Sequence, residues 1–132
     1  HAAAHALHQL KPRRISRSIR TMSTLLTTPG MTTVVLERHG EVVAYACTGK
    51  GADLAGHWHE LGGRDADLAE LLPAAMHCTN QIEAALLVPP YRQELCDRLA
   101  GQILDELWVP GPMVRPAPDP SIGCWIDGLD SV

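Results

Sequence analysis

The chain has 132 residues, 45% apolar and 20% charged, enough for one small core and against wholesale disorder. Its unbroken apolar runs, residues 84–88 among them, fall far short of the roughly 20 residues that a membrane span needs. The net charge of −4 hides a split: Lys11, Arg13, Arg14, Arg17 and Arg20 occupy an acid-free head of 36 residues, while all 15 carboxylates lie beyond it.

Residues 1–11 are rich in Ala, His and Leu and predict a short helix ended by Pro12. Residues 11–20 follow as a basic, Ser-containing stretch without a helix-period apolar face, and read as an extended arm. Two β-branched runs within residues 32–47 flank His39-Gly40, a dipeptide suited to a two-residue hairpin turn. That register pairs Arg38 with Glu41, Leu36 with Val43, Val34 with Tyr45 and Thr32 with Cys47. Its inward face would be Val34, Leu36, Val43 and Tyr45.

Residues 48–64 hold five of the 11 glycines and read as a loop around His57-Trp58-His59. A helix is predicted from Asp65 or Asp67, its stripe of Leu68, Leu72, Ala75, Met76, Thr79, Ile82 and Leu86 running to Pro89-Pro90. Pro73 should kink or divide it, since an interior proline costs about 3 kcal/mol. A second helix is predicted over 91–108 from Leu95, Leu99, Ile103 and Leu107 at fourfold spacing. Five prolines between 110 and 120 make an extended strap.

The expected fold is a small single α+β domain: a β-hairpin followed by two antiparallel helices (ββαα), with an N-terminal arm and a Pro-rich C-terminal strap. The expected organisation is a basic arm at 1–30, a core at 31–109 and a tail at 110–132.

Four cysteines, at 47, 78, 96 and 124, form no C-x-x-C pair. With no secretory signal read in the head, reduced and mostly buried thiols are expected. The segment Cys47-Thr48-Gly49-Lys50-Gly51 resembles a zinc-ribbon knuckle with lysine in place of the second cysteine. A Cys47, His57, His59 and Cys78 set has ligand types suited to tetrahedral zinc, so zinc is the alternative cofactor to none. Against it, the hairpin register puts Cys47 on the core face as plain packing. A thiol nucleophile at Cys78 or Cys124 would need a base held beside it, and adjacent helix residues such as His77 diverge by about 100°. No phosphate-cradling loop, Ser-centred elbow or paired carboxylates are apparent.

Five cations within ten residues suit salt-sensitive binding to nucleic acid, although no aromatic side chain interleaves there for stacking. A cleavable organellar presequence over 1–21, or docking onto an acidic protein surface, fits the same composition. Trp58, Trp108 and Trp125 fall outside the apolar stripes, where aromatics anchor loops or interfaces. The sequence names no reaction. It favours a small acidic, non-catalytic regulator or accessory subunit that meets a protein partner through Arg13, Arg14, Arg17, Arg20, Trp58 and Trp108. A zinc-binding module and a nucleic-acid-associated protein are the alternatives, and self-association is open. The expected compartment is the cytoplasm, or an organellar matrix if residues 1–21 act as a presequence.

Overall fold

The two β-branched runs form strands β1 (Thr32–Arg38) and β2 (Glu41–Thr48) in the computed structural model, which describes residues 1–12, 14–52 and 54–107. His39 and Gly40 both take positive φ, 53° and 80°, as a turn of this kind demands. Arg13, Trp108, Trp125, Cys124 and the strap at 110–132 lie outside the described residues.

The register agrees with expectation only at the turn. Arg38 opposes Glu41 and Glu37 opposes Val42, but Leu36 then opposes Ala44, leaving Val43 as the extra residue of a bulge. Beyond it, Val35 faces Tyr45 and Thr33 faces Cys47. A one-residue shift exchanges the faces of a strand. Ala44 and Ala46 therefore pack with Leu68 and Leu95 on one side, while Tyr45 and Cys47 pack with Ala4, Met22 and Leu26 on the other. Both faces are covered.

The glycine-rich stretch expected to be a loop contains strand β3 (His57–Gly63), antiparallel to β2. A second bulge lies here: Cys47 opposes Glu60 and Thr48 opposes Trp58, so His59 is the extra residue. Strict alternation would place Trp58 and Glu60 on one face. The bulge separates them, sending Trp58 to the first core and Glu60 to the second. Gly62 is required by its neighbour, because a Cβ there would stand 2.0 Å from Cε1 of the buried Tyr45 ring.

Helix α3 (Asp65–Cys78) starts where the sequence places it, with Asp65 and Asp67 in its first turn facing the positive end of the helix dipole. It passes through Pro73 as one helix. It ends eight residues before Leu86, at a turn where Asn80 takes φ 54°. Strand β4 (Ala85–Leu86) follows and pairs in parallel with β3, completing the sheet order β1-β2-β3-β4.

Helix α4 (Gln93–Leu99) and a 3₁₀ turn (Ala100–Gln102) replace the longer helix that periodicity suggests. Leu95 and Leu99 are buried beside Leu68, each contributing about 1.5–3 kcal/mol through burial. Leu104 and Leu107 are exposed. A stripe stabilises a helix only while it has a surface to pack on, and Gly101 then weakens the last turn.

The head is the largest departure. Helix α1 (Ala2–Gln9) ends before Pro12 as expected, but residues 14–18 are not a free arm. His8 Nε2 donates to the Ile15 carbonyl at 2.9 Å, and His5 Nε2 to the Arg17 carbonyl at 2.8 Å. Gln9 adds a 3.3 Å bond to the same Arg17 oxygen. These side chains, on one face of α1, order a segment that has no apolar stripe of its own. The chain then enters α2 (Ile19–Leu26), where the Ser18 hydroxyl accepts the Thr21 N–H at 3.0 Å. The fold is thus α+β, a four-stranded mixed sheet with helices α1 and α2 on one face and α3 and α4 on the other.

Candidate functional site

The described residues concentrate their chemistry at Glu60, which the second bulge turns into the core between α1 and the sheet. Glu60 is 0% exposed, and Lys11 at 3% and Arg17 at 4% are buried against it. Lys11 Nζ donates to Oε1, Arg17 Nη1 reaches Oε2 at 3.4 Å, and the Tyr45 hydroxyl donates to Oε1 at 2.8 Å. His8 Nδ1 stands 3.6 Å from the same carboxylate. Burial pushes the Glu60 carboxyl up, but Lys11, His8 and Arg17 together outweigh it and hold it well below the usual carboxylate range. A carboxylate fixed in its ionised form and closed to solvent does not exchange protons near neutral pH. This cluster is a lock between head and sheet, not an acid–base pair.

Beside the lock, a groove of about 180 Å³ opens at the end of β3, lined by Leu10, Lys11, Pro12, Gly63, Asp65 and Arg92. Arg92 in its lining donates to the Gly63 carbonyl at 3.2 Å and pairs with Asp65. The volume is below the roughly 300 Å³ at which small-molecule pockets begin. A third polar group ties β1 to the start of α3: Asp67 accepts from Arg38 at 2.7 Å and from Arg64 at 2.8 Å, and the Arg64 contact holds its carboxyl below the usual range.

The proposed zinc ligands do not converge. Cys47 is buried on the α1/α2 face, 3.4 Å from the Thr33 hydroxyl, whereas Cys78 is exposed at the end of α3 beside the opposite face. The bulge at His59 breaks the alternation that would align it with His57. His59 Nε2 is committed to the Gly49 carbonyl, and burial lowers its pKa, favouring the neutral ring. His57 Nδ1 bonds to the Ala55 carbonyl at 3.0 Å. Among the described residues no three His, Cys, Asp or Glu side chains are grouped to hold a metal ion. Burial pushes the Cys47 thiol up to about 12, so it supplies no thiolate at neutral pH.

Two proposed contact residues are also internal. Trp58 is 1% exposed, its indole donating to Gln81 Oε1 at 2.8 Å, and belongs to the core because its strand is central in the sheet. Arg17 is spent on Glu60. Arg14 and Arg20 remain at the surface, Arg14 bonding to Gln9 Oε1 and to the Lys11 carbonyl.

The surface that sequence reading missed is the outer edge of β1. It is a terminal strand of the sheet among the described residues, and Val35 is 49% exposed. From Thr32 to Leu36 it carries no Lys, Pro or Gly, the devices that blunt an edge. The signal was present in the sequence as an uninterrupted β-branched run beginning the hairpin. Among the described residues no helix is long and apolar enough to cross a membrane. Compared with family models, curated proteins and solved structures, the chain gives no significant match.

Proposed function

We propose that the protein is a non-catalytic regulator or accessory subunit that acts through contacts with a protein partner. The observation that carries this reading is the edge of β1, which no other described strand pairs, with Val35 at 49% exposure. A row of unpaired backbone donors and acceptors is a template for an added strand, and main-chain bonds supply the affinity in such pairing. Arg14 and Arg20, at the surface of the head, are the remaining described candidates among the arm arginines for an acidic partner. The buried groups give catalysis little to use: Glu60 is saturated by Lys11, Arg17 and Tyr45, and Cys47 is held as a thiol.

The test is native mass spectrometry of the full chain isolated from its source, alongside Val35→Lys and the double variant Arg14→Ala, Arg20→Ala. A stoichiometric protein companion that is lost with one of these changes is the expected result. A companion retained by both variants, or a folded chain that always runs alone, overturns the reading.

A further inference from the structure

We propose that the head, residues 1–30, is a latch: it leaves the sheet as one unit and so frees Lys11 and Arg17 from Glu60 to join Arg14 and Arg20 on a single cationic surface. That the freed cations serve an acidic protein partner rests on the reading of Arg14 and Arg20 as contact residues.

The head meets the body through a small core of its own. Among the described residues it gives Ala4, Met22 and Leu26 to the cluster with Tyr45 and Cys47, while Leu68, Leu72 and Leu95 belong to the larger cluster on the other face. The two clusters share no residue, so departure of the head leaves the packing of α3 and α4 on the sheet in place. The strand ladders are independent of it as well, because the described strands all begin after residue 31. Head and body are joined by one passage of chain. There the Met31 N–H donates to the Thr28 carbonyl at 3.1 Å and Gly30 takes φ 80°.

The catch is electrostatic. Lys11, Arg17 and His8 reach from the head to one carboxylate, Glu60. Desolvating such ions offsets much of their attraction, so the cluster fixes how the head seats without adding much net stability. The seam beside it holds the groove of about 180 Å³, which draws Leu7, Leu10 and Pro12 from the head and Gly63, Asp65 and Arg92 from the body. Residues 1–36 contain no carboxylate, so Glu60 is the counter-charge the head lacks. An acidic segment offers the same chemistry from outside. It meets Arg14 and Arg20 on the closed form and Lys11 and Arg17 in addition on the open one, a differential affinity that favours opening.

Hydrogen exchange of the full chain, read amide by amide, separates the latch from global unfolding. Leu95→Ala weakens the larger core, and Leu95→Val does so more mildly if the first variant fails to fold. The expected result for Leu95→Ala is exchange at the interior amides of α3 speeded about thirtyfold or more, with α1 and α2 unchanged within about twofold. Speeding of all three helices by one factor means that the head leaves only with the whole fold, and overturns the latch. Glu60→Gln is expected to speed α1 and α2 by the same factor; a response from only one of them overturns the single unit.

A poly-glutamate peptide then serves as the acidic ligand. It is expected to speed exchange in α1 and α2 at least about threefold with α3 unchanged, and to bind Glu60→Gln at least about tenfold more tightly than the parent. Peptide held through Arg14 and Arg20 with head exchange unchanged overturns the release and leaves the contact reading intact. A peptide that does not bind overturns the release, and the companion kept or lost by the Arg14→Ala, Arg20→Ala variant decides the contact reading separately.

Discussion

Replacing Glu60 with glutamine tests whether the buried lock holds the head to the sheet. The carboxylate is 0% exposed, and the two cations facing it are 3% and 4% exposed, so neither can turn to water without opening the fold. Glutamine keeps the volume and one acceptor for the Tyr45 hydroxyl, a bond worth about 1 kcal/mol. It removes the negative charge that neutralises Lys11 and Arg17. Breaking a buried pair from one side costs about 3–5 kcal/mol. Small domains have only about 5–15 kcal/mol in total, so the loss is a large fraction of stability. With a urea dependence of about 2 kcal/mol per molar, the midpoint should fall by roughly 2 M at pH 7. The companion variant Lys11→Met, Arg17→Met, Glu60→Leu removes both sides together and should be neutral or gain about 1–4 kcal/mol. If Glu60→Gln unfolded within about 0.5 kcal/mol of the parent, the lock would be open to water and the argument would fail.

Acid should destabilise the fold in two steps, read from urea midpoints between pH 8 and pH 2. His59 has its pKa lowered by burial, so the unfolded chain binds the proton first, and stability declines as pH drops below its ordinary 6.5. His59→Gln should flatten that upper step. The contribution of Glu60, whose folded pKa is depressed, is complete above its ordinary value of 4.5 and is lost only as pH falls further toward the folded one. Of the three described cysteines, alkylation of the folded protein at pH 8 should label the exposed Cys78 first and leave Cys47, with its thiol near 12, unmodified until unfolding; peptide mapping of the adducts checks the order. Gly62→Ala should cost about 1–3 kcal/mol, because the new methyl group overlaps the Tyr45 ring, and a midpoint unchanged from the parent would show that the ring has room to move.

Much of the outline was legible locally. The hairpin was written in two β-branched runs around a dipeptide that accepts positive φ twice. The start of α3 was written in two early aspartates that suit a helix N-terminus, and the end of α1 in Pro12. Cys47 is buried as expected, but on the opposite face from Val34 and Leu36, because both faces of β2 are covered. The α3 and α4 stripes misled at their far ends, since periodicity reports which residues share a face and not how far a partner surface extends. Leu86 lies in a strand, and Leu104 and Leu107 lie in water. The candidate site fared worst. The stretch around Trp58 reads as a loop because it is glycine-rich, and the basic stretch reads as an arm because the partner of Lys11 and Arg17 is remote in sequence.

By itself, then, the sequence determined turn chemistry, helix starts and the alternation within strands, all set by backbone conformations that neighbouring residues prefer. Only tertiary structure decided which side of each strand is which. Both sheet faces are covered here, so a hydrophobic pattern of period two cannot mark one of them as inward, and single-residue bulges at Val43 and His59 reverse the assignment. Tertiary structure also decided what the basic head does. Lys11 and Arg17 meet Glu60 across 49 and 43 positions of sequence, and an ion pair removed from water depends on geometry that no local pattern encodes.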